Sequence, residues 1–289
     1  MALTKGWLVT AAISTASLSV GICAAAEPGA QPAPNAQTAP ARPAAASLPA
    51  MSAAQVVDRN VSARGGLAAW QAVHTMVWKG KMGAGATTYA EITAKGKLEQ
   101  KEREETLLPF TFEFKRPLKS RIEIEFNGQT AIQVFDGTSG WKLRPFLGRK
   151  DWEAFTPEEL KQASSAPGID GLLIDYAAKG AKVESAGTDM VEGHAAYKLT
   201  VTRKDGEVRH VWVDGQSFLD IKIDGEPRKL DGHPHPVVIY LRDFRRDQSL
   251  MVPHVLETAV QGVPRTEKIN IDSVAVNPPL DDARFTKPK

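Results

Sequence analysis

Two histidines one residue apart, in His233-Pro234-His235-Pro236, are the most metal-like feature of the chain. On a strand, alternate side chains share a face, so both rings would point the same way, as zinc ligands can. No further ligand follows nearby, and two prolines suit a connecting loop, so no metal site is expected. Gly137-Thr138-Ser139-Gly140 lacks the G-x-S-x-G spacing that lifts a serine nucleophile onto a sharp turn. Gly83-Ala84-Gly85 has no third glycine and no strand–helix–strand setting to cradle a pyrophosphate. No H-E-x-x-H occurs. Arg242, Arg245 and Arg246 could meet a phosphate, but Asp243 and Asp247 lie among them, which predicts a solvated strand end. His74, His194, His210 and His254 are isolated in sequence. These residues predict no enzyme, no cofactor and no metal.

The apolar rows offer a different chemistry, the transfer of hydrocarbon out of water. Leu108, Phe110, Phe112 and Phe114 alternate with Thr111, Glu113 and Lys115, and Met76, Trp78 and Met82 share one face of an earlier segment. Ala90, Ile92 and Ala94 line another. Period two marks half-buried strands. Four large apolar groups on one face are more than a thin antiparallel sheet usually shows, so something must cover them.

The segment 117–141 organises these rows. Ile122, Ile124 and Phe126 alternate with Arg121, Glu123 and Glu125, and Ile132 and Val134 follow the turn pair Asn127-Gly128. A two-residue turn would set Glu123 against Ile132, placing charge beside the apolar row. A three-residue loop, Phe126-Asn127-Gly128, sets Ile122 against Ile132 and Arg121 against Gln133, and is the register expected. Asp136-Gly137 turns the chain again, and Trp141 opens the next strand.

Helices are few. Ser52 caps a helix running to Ala63, with Val56, Val57 and Val61 near one face, and Gly65-Gly66 ends it. Thr156, Pro157 and Glu159 form the start of a second, with a capping box. Ile169 to Ala178 reads as a third, ended by Gly180. Strand signals resume at Val183 and include Tyr197, Leu199 and Val201, then Leu219, Ile221 and Ile223. Val237 to Leu241, apolar on both faces, reads as a central strand, and Val252 to Val260 and Lys268 to Val276 complete the set. The fold class expected is mainly β with a few helices (α+β): ten or eleven mostly antiparallel strands in a strongly curved sheet. The helices would cap its concave face.

The 289 residues begin with Lys5, an apolar run from Trp7 to Cys23, and Ala24-Ala25-Ala26. That order predicts a cleaved secretory signal peptide at 1–26 and an exported protein. Ile22 is too large and branched for a lipidation site at Cys23. Cleavage after Ala26 removes the lone cysteine, and with it disulfides and thiolate metal sites. It also removes Lys5, the segment's sole charge, so the formal net charge falls from +2 to +1 and selects neither nucleic acid nor an anionic bilayer. Residues 27–50, rich in Pro and Ala, predict a disordered tether. Residues 51–289 form the domain.

Several pieces occur in the order known from the LolA/LolB-like superfamily of periplasmic lipoprotein-sorting proteins, which the chain resembles over 51–289. They are Gly65-Gly66, Gly80, Arg116-Pro117-Leu118-Lys119-Ser120-Arg121 and Asp136-Gly137-Thr138-Ser139-Gly140-Trp141. Asp175-Tyr176, Gly180 and Val191-Glu192-Gly193 follow, then Asp243-Phe244-Arg245, Pro253 and Asn277 to Pro288. The Pro/Ala tether and the missing lipobox depart from the anchored members. The resemblance implies an unclosed β-barrel capped by helices, and a monomeric, non-catalytic periplasmic carrier of lipids or lipoprotein acyl chains, with a membrane-bound donor or acceptor. The residues expected to line an acyl cavity are Met76, Trp78, Ile92, Phe110, Phe112, Phe114, Ile122, Ile124, Ile132, Val134 and Trp141. A lipid-sensing regulatory domain and a hydrolase are the alternative functions.

Overall fold

The computed structural model describes residues 48–84, 105–230 and 232–287, and the backbone of 88–92 and 98–102. The segments expected to be signal peptide and, nearly all of it, tether lie outside the described residues, as do the side chains of Ala90 and Ile92 and residue Ala94.

Seventeen strands are described. The first eight are β1 (Thr75–Gly83), β2 (Thr88–Ile92), β3 (Leu98–Glu102), β4 (Leu107–Lys115), β5 (Lys119–Phe126), β6 (Gln129–Phe135), β7 (Gly140–Arg144) and β8 (Arg149–Ala154). The remainder are β9 (Lys182–Val191), β10 (His194–Thr202), β11 (Val208–Asp214), β12 (Asp220–Asp224), β13 (Arg228–Leu230), β14 (His233–His235), β15 (Val237–Asp247), β16 (Leu250–Val260) and β17 (Glu267–Val276). Three helices accompany them: α1 (Ala53–Ala63), α2 (Leu67–Gln71) and α3 (Pro157–Ser164). Thirteen strands form one antiparallel sheet in the order β8-β7-β6-β5-β4-β1-β17-β16-β15-β12-β11-β10-β9. Strands β8 and β9 stay apart as edges, so the barrel is unclosed. The sheet is wider than the ten or eleven strands expected. β2–β3 and β13–β14 are separate hairpins.

β1 joins the two halves of the sheet. It pairs with β4 through Trp78 and Phe112 and with β17 through Trp78 and Val274. A bulge between Lys79 and Gly80 shifts the register with β17. A Cβ on Gly80 would lie 2.0 Å from the Asn270 carbonyl oxygen, so this close approach requires glycine.

The β5–β6 register corrects the expectation. Ile122 faces Gln133, Glu123 faces Ile132, and Arg121 faces Val134. Asn127 (φ 50°) and Gly128 (φ 71°) make a two-residue left-handed turn, whose twist matches the strands. The charged face tolerates apolar neighbours because it is covered from a distance. The C-terminal 3₁₀ helix Asp282–Phe285 packs over β5 and β6. There Arg284 reaches Glu113 and Glu123, Lys119 reaches Asp282, and Phe285 and Val134 are fully buried.

The concave face carries the core. Phe110, Phe112, Phe114, Met76, Met82 and Ile124 pack with Leu250, Val252, Leu256, Ile269 and Ile271 from across the sheet. Helix α1 lies over β10 and β11, where Val56 and Val57 meet Tyr197, Leu199, Val211 and Val213. The expected Thr156–Glu159 capping box forms, and the expected cap Ser52 makes one as well, with Gln55. Glu159 also binds Lys142, which rises from the concave face of β7, so the cap of α3 docks the helix onto the sheet. The expected helix at 169–178 is instead a run of turns. Gly168, Gly171 and Asp175 take positive φ (76°, 79° and 52°), which interrupts any right-handed helix.

Candidate functional site: an apolar cavity under the helical cover

Between the concave sheet and its cover lies a cavity of about 120 Å³, partly open to solvent. An apolar space of about 150 Å³ holds a benzene, so this one takes a short stretch of hydrocarbon without any movement of its walls. One wall is aromatic. Trp78 meets Phe114 edge-on, ring centroids 5.0 Å apart, and Phe112 at 6.2 Å, while the two phenylalanines lie 4.0 Å apart. The facing wall is aliphatic: Ile223 of β12, Ile239 and Leu241 of β15, Val252 and Leu256 of β16. Residues 166–173 form the cover, with Ile169, Leu172 and Leu173 turned to the space.

One ion pair stands in the lining. Arg64, at the C-terminal end of α1, lies 3.3 Å from Asp220 of β12, with side chains 7% and 11% exposed. The guanidinium also stacks 4.6 Å above the Trp70 ring, donates to the Met251 carbonyl, and so ties helix to sheet. Asn60 donates to Asp220 and to the Phe218 carbonyl from the same helix. These partners answer the charges, as burial demands.

The cover is held from outside the cavity. Asp170, 4% exposed at its side chain, accepts from Arg116 at 3.0 Å and from Lys179 at 2.8 Å. Arg116 donates as well to the Val73 and Trp70 carbonyls. Arg203 donates to the Ser165 carbonyl. Burial holds the Lys179 ammonium below the usual lysine value, against the pull of Asp170.

The expected lining residues divide into groups. Trp78, Phe112 and Phe114 line the cavity. Met76, Phe110 and Ile124 face the same way but are sealed in the core, and Ile122 packs beside them. Ile132, Val134 and Trp141 lie on the opposite face, paired with Glu123, Arg121 and one another, so their expected place in the cavity is corrected. The side chain of Ile92 lies outside the described residues. Sequence reasoning missed Leu241, Ile239, Val252 and Leu256, although it read their strands; strand order alone brings them opposite Trp78. It named Ile223 in an apolar row with Ile221. A bulge in the β11–β12 pairing sends Ile221 to the outer face, beside Trp212 and Tyr240.

Comparison with known proteins agrees on the fold. A LolA superfamily protein from Nitrosomonas europaea superposes with a TM-score of 0.51 at 13% identity, covering 82% of this chain and 99% of its own. An outer membrane lipoprotein-sorting protein domain from Vibrio parahaemolyticus gives 0.47 at 11% identity, over 80% and 94%. A DUF1329 family protein from Desulfovibrio piger gives 0.44 at 11%, over 81% and 97%. No protein-family model and no curated protein sequence matches the chain.

Proposed function

Proceeding from a LolA-like fold, we propose that this chain is a non-catalytic binding or carrier protein for lipids or lipoprotein acyl chains, working in the periplasm. The observation that carries the reading is the partly open cavity between the aromatic wall of Trp78, Phe112 and Phe114 and the aliphatic wall of Leu241 and Leu256. Each methylene moved there from water contributes about 0.8 kcal/mol. A long tail exceeds the resting volume, so it would enter by displacing residues 166–173, which form no helix or strand. The basic, then apolar, then Ala-rich start of the sequence supports export.

A filled cavity tests the reading. Leu241→Trp adds bulk to the wall at a cost to stability of about 1–3 kcal/mol and should weaken binding of a fluorescent fatty-acyl probe at least tenfold. Tyr240→Ala, one residue away on the outer face beside Lys222 and Arg242, should leave that binding unchanged. Equal binding by both variants would place the guest elsewhere.

A further inference from the structure

The charged side chains in the cavity lining are answered by protein, but one buried donor is not. Arg64 pairs with Asp220, and Lys115 and Lys119 reach Asp282. That donor belongs to Trp78. Its indole Nε1 is buried and has no protein acceptor. Among the described residues it is the one such buried, unpartnered side-chain atom that belongs to a cavity-lining residue. Two other indoles show how the fold treats this donor elsewhere. Trp70 Nε1 donates to the Arg64 carbonyl at 2.9 Å, and Trp212 Nε1 to Asp189 at 2.9 Å.

Trp78 has little freedom to find a partner by turning. Its backbone is fixed between β4 and β17, and its ring is wedged against Phe112 and Phe114. A buried donor left unmade is costly, and folded proteins keep few of them. A phenylalanine would supply the same apolar wall without that cost.

We propose that the Trp78 indole N–H donates a hydrogen bond to a carbonyl or carboxylate oxygen of the guest, so that the cavity selects acyl compounds over bare hydrocarbon. The proposal rests on the carrier reading and narrows it to guests carrying an ester, amide or acid group. The indole can give one hydrogen bond and accept none, which suits an oxygen acceptor and leaves the rest of the guest to the apolar walls.

The test uses the full chain and two probes of matched carbon number, methyl decanoate and undecane, each displacing a bound fluorescent fatty-acyl reporter. The ester should bind about tenfold more tightly than the alkane, equivalent to about 1.4 kcal/mol, and the ratio should fall to within twofold in Trp78→Phe. In the wild type, the Trp78 indole proton, assigned by triple-resonance NMR without any variant, should move downfield with the ester and stay put with undecane. That second readout decides the matter if Trp78→Phe fails to fold. Both probes binding with the same ratio in both proteins, or an indole signal indifferent to the ester, overturns the proposal and leaves the carrier reading standing. Failure of both probes to bind the wild type overturns the carrier reading itself.

Discussion

Arg284 Nε lies 2.7 Å from Glu113 Oε2 and joins residues 171 apart in sequence across the outer face of the sheet. The Glu113 side chain is 8% exposed, whereas the arginine is 41% exposed. Arg284→Ala should therefore lower stability by about 1 kcal/mol, the low end of the range for an orphaned buried acceptor. Phe285→Ala, which empties a fully buried site, should cost about 3–5 kcal/mol. Urea melts of the two variants check the order. A wild-type melt for Phe285→Ala would show that the C-terminal segment does not cover this face.

Asp170 is the pin of the cavity's cover, since it accepts from Arg116 and Lys179 together. Asp170→Ala should lower global stability by about 1–3 kcal/mol and speed amide exchange across residues 169–180 before the strands respond. Guest uptake should quicken in step. Hydrogen-exchange mass spectrometry reads the first effect directly. Unchanged exchange in that segment would mean that the turns hold themselves.

Acid should weaken the outer face near β9. The Trp212 indole, donating to Asp189, holds that carboxyl below its usual value, and Arg242 does the same for Glu192. Carboxylates with depressed folded values contribute stability above the unfolded range near pH 4, and lose it as pH falls through the folded value. Melting temperature should be flat from pH 7 to about 5 and fall below pH 4. Trp212→Phe should make the fall shallower, because Asp189 then titrates nearer its unfolded value. An identical acid slope in the variant would contradict the assignment.

What the sequence made legible was local. Alternation placed Leu108, Phe110, Phe112 and Phe114 on one buried face, and the Thr156–Glu159 capping box was readable from its three-residue spacing. The failures came from distant partners or single backbone residues. The β5–β6 register looked wrong for two residues because the cover over Arg121 and Glu123 arrives from Arg284 and Phe285. Apolar spacing at 169–178 suggested a helix, but Gly171 and Asp175 in left-handed conformations outweigh it. The cavity was half legible. Its aromatic wall lies on neighbouring strands, whereas Leu241 and Leu256 reach it only through a strand order in which β1 pairs with β17.

The central claim is that the concave face holds a guest under residues 166–173. Native mass spectrometry of the chain purified without detergent measures this most directly. The account predicts a population heavier than the apoprotein by the mass of an acyl lipid, shed on activation and much reduced in Leu241→Trp. A single species at the mass of the bare polypeptide, in wild type and variant alike, would contradict it.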